Sequence, residues 1–74
     1  MNETRAEREM LRQLGRRIQA LRRKRGISQE KLAYAIGVSR VYEGYIEQGR
    51  KAPAVSKLYR IAKQLKVPLY ELFQ

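Results

Sequence analysis

The amino-acid sequence predicts an all-α fold, a compact domain of five helices, on three observations. Apolar residues recur at intervals of three and four along most of the chain, as they do on one face of a helix. No segment alternates apolar and polar residues in the way that a half-buried strand does. Glycine, proline or serine stands between the periodic segments, where helices begin and end. The length of 74 residues suits one domain with a single core, which we assign to residues 1–74.

The first helix is predicted from Thr4 to Arg25, just before Gly26. Its apolar face carries Leu11, Leu14, Ile18 and Leu21. Its outer side is rich in arginine, at Arg5, Arg8, Arg12, Arg16 and Arg23. These arginines either form a solvated surface or contact phosphate, and contact is expected towards the end of the helix rather than at its start. Residues 1–10 are an N-terminal extension that can fray.

Two short helices joined by a tight turn are predicted between Ile27 and Gly49. Ser28 is placed to cap the first of them, and Gly37 to end it in the left-handed conformation that glycine adopts without strain. Ser39 is placed to cap the second, which runs about ten residues to Gly49. Two helices in this arrangement are typical of a helix-turn-helix.

Two further helices are predicted after the loop that ends at Pro53. The first has apolar residues at helical spacing, at Val55, Leu58, Ile61, Ala62 and Leu65. Ala54 precedes it and offers no capping side chain. The second begins at Pro68, because proline is well tolerated in the first turn of a helix. It carries Leu69, Leu72 and Phe73.

The composition favours a polyanionic partner and argues against an enzyme. The 17 Lys and Arg residues outnumber the 7 Asp and Glu residues, for a net charge of +10. A membrane surface or mere solubility could also account for this charge. The chain has no cysteine and no histidine, the commonest thiolate and imidazole ligands and the commonest general base. We therefore expect no metal ion, no cofactor and no catalysis. Neither a signal peptide nor a run of about 20 apolar residues is present, so a soluble cytoplasmic protein is expected.

Many residues of the two short helices and their surroundings agree with one known pattern at fixed spacing. They are Gly26-Ile27-Ser28-Gln29, Leu32-Ala33, Gly37-Val38-Ser39, Ile46-Glu47-Gln48-Gly49-Arg50 and Pro53. Over roughly residues 14–73 the chain resembles the phage-repressor (Xre/Cro-type) superfamily of helix-turn-helix proteins. That superfamily includes restriction-modification controller proteins, small phage and plasmid regulators, and antitoxins. The resemblance implies a five-helix lambda-repressor-like fold and double-stranded DNA as the partner.

In a helix-turn-helix, side chains near the N-terminus of the second helix contact base edges in the major groove. Here these side chains are expected to be Arg40, Val41, Tyr42, Gly44 and Tyr45. Arg40 can donate two hydrogen bonds to guanine, and Val41 can touch a thymine methyl group. Tyr42 and Tyr45 could instead be half-buried in the core. Gly44 would allow a close approach to DNA or to another helix.

A second group of residues is expected to contact DNA phosphates: Gln29, Arg17, Arg23, Ser39, Arg50 and Lys51. By resemblance, Gln29 matches a position that contacts the backbone and supports the recognition helix. Arg50 and Lys51 match a loop that contacts phosphate in the superfamily. The alternative for these two residues is a solvated loop.

Two glutamates on the second short helix need an explanation in a basic protein. By resemblance, Glu47 pairs with Arg22 of the first helix in a largely buried ion pair. Glu43 stands where the superfamily has isoleucine or valine, and burial of an unpaired carboxylate is very costly. Either Glu43 meets an arginine of the first helix, or the helix is rotated and Tyr42 or Tyr45 fills the gap.

The sequence as a whole predicts a sequence-specific transcriptional regulator that binds a palindromic operator as a homodimer. The dimer interface is expected on the last two helices, with candidates Tyr59, Leu69, Tyr70 and Phe73. Leu69 and Phe73 could instead belong to the core. A chain of this length has no room for an effector domain, so no small-molecule effector is expected. The alternatives are an antitoxin-like protein-interaction module and a non-specific nucleic-acid-binding protein.

Overall fold

The computed structural model describes residues 3–74, and this part of the chain contains helices and no strand. Four α-helices are present: α1 (Arg5–Lys24), α2 (Gln29–Ile36), α3 (Arg40–Glu47) and α4 (Val55–Leu65). A 3₁₀ helix follows at Leu69–Phe73. The all-α prediction is therefore confirmed, whereas the predicted fifth α-helix is a 3₁₀ helix. No helix in the described range is long and apolar enough to cross a membrane.

The 3₁₀ form of the last helix has a local reason. Pro68 precedes the helix in an extended conformation, at φ −67° and ψ 154°, and does not form its first turn. A proline side chain cannot cap a helix, and only five residues follow before Gln74. Helical segments this short commonly take the tighter 3₁₀ geometry.

The N-terminus of α1 is held by a reciprocal cap. The Glu7 amide donates to Thr4 Oγ1 at 3.1 Å, and the Thr4 amide donates to Glu7 Oε1 at 2.7 Å. This capping box satisfies two backbone donors that the first turn would otherwise leave free. Within the predicted N-terminal extension, residues 5–10 are helical, and Met1 and Asn2 lie outside the described residues.

The predicted caps of the two short helices are confirmed. Ser28 Oγ accepts from the amide of Lys31, and Ser39 Oγ accepts from the amide of Tyr42, both at 3.0 Å. Gly37 ends α2 in the left-handed conformation, at φ 77°. The Ser39 cap follows Gly37 by two residues, so the turn between α2 and α3 is tight and its geometry is set by local residues.

One hydrophobic core joins the helices. α2 packs against both α3 and α4, and α1 packs against α3 and the 3₁₀ helix. The core is formed by fully or nearly fully buried side chains from every helix: Leu14, Ile18, Leu21, Leu32, Ile36, Ile46, Leu58, Ile61, Leu65 and Leu72. These include most of the apolar positions predicted for α1, α2 and α4.

The backbones of α1 and α3 touch at Gly15. A Cβ atom placed on Gly15 would lie against the carbonyl oxygen of Glu47 and 2.6 Å from that of Ile46. No side chain larger than hydrogen fits without moving one helix, so this glycine sets the distance between α1 and α3.

We predict opposite effects for alanine at the two glycines inside helices. Gly15→Ala should lower the free energy of unfolding by about 1–3 kcal/mol, because the added methyl group overpacks the α1–α3 contact. Gly44→Ala should raise it by about 0.5–1 kcal/mol, because alanine favours the helix and its Cβ would meet only Gln48 Nε2, at 3.8 Å, within the described residues. Urea denaturation of both variants measures the difference. Equal effects of the two substitutions would contradict the tight contact.

Candidate nucleic-acid interface

The exposed face of α3 begins at its N-terminus, just after the Ser39 cap. Arg40 and Val41 follow with exposed side chains, and Val41 remains 56% exposed although it is apolar. Gly44 lies one turn further along. Gly44 is buried, but among residues 3–74 a Cβ atom placed on it would meet only the Gln48 side chain, so its lack of a side chain does not serve close packing of another helix. The part of α3 that is open to a partner is therefore its first turn, at Arg40 and Val41.

Tyr42 and Tyr45 are both half-buried, for different reasons. Tyr42 packs against the hydrophobic core, which was the structural alternative for this residue. The Tyr45 ring lies against the guanidinium of Arg50, with 4.3 Å between Arg50 Cζ and the ring centroid. This cation–π contact holds a positive charge at the C-terminal end of α3. The exposed Lys51 follows directly.

Three helices meet at an open depression beside the N-terminus of α3. Arg23 reaches it from the end of α1, Gln29 from the first turn of α2, and Arg40 from the first turn of α3. The fold thus brings together three residues that are far apart in the sequence and that were predicted to contact DNA. Ser28, predicted only as a cap, borders the same depression. The sequence could have indicated this role of Ser28, because Ser28 directly precedes Gln29.

Arg17 lies apart from this group, and its predicted phosphate contact stays a prediction. Its Nε donates to the Glu71 carbonyl oxygen at 2.9 Å, and its Nη2 donates to Glu71 Oε2 at 3.1 Å. Arg17 precedes Arg22 by five residues, so the two side chains leave α1 on different sides. The guanidinium of Arg17 is held by the 3₁₀ helix.

A buried carboxylate connects the three helices behind the exposed face of α3. Arg22 Nε and Nη2 donate to the two oxygens of Glu47, at 2.6 Å and 3.0 Å, and Arg22 Nη1 donates to the Ile27 carbonyl at 2.7 Å. Gln29 Nε2 donates to Glu47 Oε1 at 3.0 Å, and Gln19 Nε2 donates to the same oxygen at 3.3 Å. Glu47 of α3 is thereby joined to α1 and to the first turn of α2.

This network keeps Glu47 ionised. Burial alone would raise the pKa of Glu47, but the hydrogen bonds from Arg22 and Gln29 and the positive charge of Arg22 outweigh it and lower the pKa to about 2. Removing one partner of a buried pair typically costs about 3–5 kcal/mol, because the other charge remains buried without compensation. The orientation of α3 therefore depends on the contact of Glu47 with Arg22.

Glu43 is completely buried next to this pair. Its Oε2 lies 3.8 Å from Arg22 Nε, and no donor in residues 3–74 makes a hydrogen bond to either of its oxygens. Burial, together with repulsion from the charged Glu47, raises the pKa of Glu43 to about 9. The sequence left two arrangements open for Glu43: contact with an arginine of α1, or a rotated α3 with a tyrosine in its place. The structure has the first, with Arg22 as the arginine.

Three exposed aromatic side chains lie on α4 and the 3₁₀ helix. Tyr59 is 55% exposed, Tyr70 64% and Phe73 53%, all three being predicted interface residues. Leu69 is half-buried against the core, which assigns it mainly to the fold rather than to an interface. Met10, which borders the same shallow depression as Phe73, was missed because residues 1–10 were treated as an extension.

The opposite pKa shifts of Glu43 and Glu47 predict a stability maximum near pH 4.5. Folding raises the pKa of Glu43 from 4.5 to about 9, so between these pH values the folded protein holds a proton that the unfolded chain releases. Stability therefore falls as the pH rises through this range. Folding lowers the pKa of Glu47 from 4.5 to about 2, so its contribution to stability is lost as the pH drops through that range. Glu43→Gln should remove only the first effect.

Urea denaturation at about pH 5 and about pH 9 measures this difference. Relative to Glu43→Gln, the natural protein should lose more than about 1.4 kcal/mol between these conditions, which is the equivalent of one pKa unit. The exposed Glu30→Gln serves as control and should keep the natural pH profile. Parallel profiles for the natural protein and Glu43→Gln would show that Glu43 is ionised in the folded state.

The helix-turn-helix family pattern matches residues 18–72, most of the chain. The HTH-type transcriptional regulator SutR of Escherichia coli is 43% identical over 51 residues, which cover 69% of this chain and 29% of SutR. The uncharacterized HTH-type transcriptional regulator y4dJ of Sinorhizobium fredii is 36% identical over 64 residues, which cover 86% of this chain and 83% of y4dJ. The match therefore extends over most of y4dJ but over less than a third of SutR.

The fold has a similar relative among solved structures. The crystal structure of the restriction-modification controller protein C.AhdI from Aeromonas hydrophila superposes with a TM-score of 0.81 at 35% sequence identity. The superposition covers 85% of this chain and 96% of that one. These similarities confirm the resemblance found in the sequence, and the chain belongs to the helix-turn-helix family.

Proposed function

We propose that this chain is a sequence-specific DNA-binding transcriptional regulator that acts as a homodimer on a palindromic operator. The observation that carries the proposal is the exposed N-terminal end of α3, where Arg40 and Val41 stand beside Arg23 and Gln29. A net charge of +10 adds attraction to a polyanion. The similarity to C.AhdI favours a small regulator, such as a restriction-modification controller or a phage or plasmid regulator.

In this proposal α3 lies in the major groove with its N-terminus towards the bases. Arg40 donates two hydrogen bonds to guanine O6 and N7, and Val41 contacts a thymine methyl group. Gly44 lets the helix backbone come near the groove, and Tyr45 reaches a base edge or phosphate. Tyr42, which packs partly on the core, contributes through its outer edge alone.

The proposed phosphate contacts lie at the two ends of α3. Arg23, Gln29 and Ser39 are at its N-terminal end, and Arg50 and Lys51 follow its C-terminal end. The eight residues of α3 span about 12 Å at 1.5 Å per residue. This short length keeps the cations at both ends of α3 close to the groove, where phosphate oxygens can accept hydrogen bonds from them.

Dimerisation would supply the specificity that one helix lacks. A single recognition helix contacts only a few base pairs, whereas two half-sites about one helical turn apart form a palindrome. The exposed aromatic residues Tyr59, Tyr70 and Phe73 are the proposed contact between two copies. The same residues also favour the second candidate function, an antitoxin-like module that binds a different protein.

The proposal predicts different roles for Arg40 and Arg50, which selection of bound duplexes from random DNA would measure. The natural protein should enrich a palindrome at about 0.15 M salt. Arg40→Ala should relax the preference at one base of each half-site, because a bidentate contact is worth about 1–3 kcal/mol of discrimination. Arg50→Ala should weaken binding to all sequences about equally, because phosphates carry no sequence information.

Two results would contradict this prediction. Identical behaviour of the two variants would overturn the division between base and phosphate contacts. Binding without any enriched sequence, with a steep loss of affinity as salt is raised, would instead indicate a non-specific nucleic-acid-binding protein.

The dimer is tested by a charge placed in its proposed contact. Tyr70→Glu should yield a monomer in analytical ultracentrifugation and bind the selected operator more weakly, because two carboxylates would meet at the interface. At protein concentrations low enough for the natural protein to be monomeric too, its melting temperature should change little, since Tyr70 is 64% exposed in the single chain. Tyr34→Glu on α2, where the tyrosine is 89% exposed, introduces the same charge and should leave the dimer intact. A natural protein that is monomeric even on its operator would contradict the homodimer, and one that is monomeric and binds no selected DNA sequence would favour the antitoxin-like module.

A further inference from the structure

A groove with a cationic rim lies between the C-terminal half of α1, the end of α4 and the 3₁₀ helix. Its volume is about 430 Å³. The rim carries Arg17, Lys24, Arg25 and Lys66, and the apolar lining includes Ala20 and Val67. This surface is called the α1–α4 groove. Its volume falls in the range of about 300–1,000 Å³ that is usual for ligand sites.

The charge of the α1–α4 groove is strongly positive. Its single acidic residue, Glu71, is already bound by Arg17 at 3.1 Å. Lys24, Arg25 and Lys66 form no ion pair with any side chain in the described range 3–74. Three positive charges without an acidic partner thus border an apolar surface, so the groove is complementary to a ligand with both carboxylates and apolar groups.

Lys66 occupies a backbone conformation that lysine disfavours. Among the described residues, the backbone has a positive φ at four positions, and three of them are glycine: Gly26, Gly37 and Gly49. The fourth is Lys66, at φ 58°. Lysine near a helix C-terminus also interacts favourably with the helix dipole, but Lys63 in the last turn of α4 does so without this strain. The strained position of Lys66 is consistent with a use for its charge in the groove.

The α1–α4 groove faces away from the candidate nucleic-acid interface. Arg17 and Lys24 border it on one side of α1, whereas Gly15 and Arg22 face α3 on another. A ligand in the groove would therefore leave the exposed face of α3 free.

We propose that the α1–α4 groove binds an acidic segment of a partner protein. Carboxylates of the segment contact Lys24, Arg25 and Lys66, and an apolar side chain packs on Val67. Arg17 and Lys24 are two helical turns apart, about 10 Å along α1, which an extended segment of about three residues covers. A groove of this length suits successive carboxylates of a peptide better than a single small anion. The site is separate from the DNA interface and does not depend on the proposed operator binding.

Titration of the ¹⁵N-labelled protein with a peptide of alternating glutamate and leucine tests the proposal. The peptide should shift the amide signals of Ala20, Lys24 and Val67 saturably, and a peptide with glutamine in place of glutamate should not. Lys24→Gln and Lys66→Gly should each weaken binding about two- to fivefold, the range for one exposed ion pair. Lys31→Gln on α2 removes the same charge outside the groove and should have no effect.

Lys66→Gly adds a second readout, because it should raise the melting temperature while it weakens peptide binding. Three outcomes would overturn the proposal: no saturable shift, equal weakening by Lys31→Gln, or shifts confined to α3. A short single-stranded RNA that binds more tightly than the peptide and shifts the same amide signals would indicate that the partner is a nucleic acid rather than a protein. Operator binding measured in parallel should be unchanged in Lys24→Gln and Lys66→Gly, and its loss there would place the groove in the DNA interface instead.

Discussion

The position of α3 depends on one carboxylate, that of Glu47. It accepts hydrogen bonds from Arg22 and Gln19 of α1 and from Gln29 of α2, so three helices meet at two oxygen atoms. Hydrophobic packing is non-directional and would tolerate small rotations of α3. Hydrogen bonds to a buried charge are directional and strong, so they fix the direction in which Arg40 leaves the helix. The orientation of the exposed face is thus set by contacts on the buried side of α3.

Glu43 adds a second acidic group to this region without adding a second charge. Its retention of a proton avoids the cost of two negative charges beside one arginine. The departure from the usual apolar residue therefore makes the stability of the protein sensitive to pH.

Local signals in the sequence were sufficient for the elements that carry the site. Ser28, Gly37 and Ser39 act on the residues next to them, so the bounds of α2 and the start of α3 could be predicted from neighbouring residues. The role of Arg17 could not, because its partner Glu71 lies 54 residues away and only the tertiary fold brings them together. The Glu47 pair was expected from the family resemblance rather than from spacing. The burial of Tyr42 and Leu69 likewise depends on packing that no periodic pattern specifies.

The stacking of Arg50 on Tyr45 has a consequence for binding entropy. A free arginine side chain samples many rotamers, and ordering it on a partner costs up to about 2 kcal/mol. In this protein the ring already restricts Arg50 before any partner arrives, with 4.3 Å between guanidinium and ring centroid. Much of that ordering is therefore complete in the unbound chain. If Arg50 contacts a phosphate as proposed, a larger share of that attraction would remain as affinity.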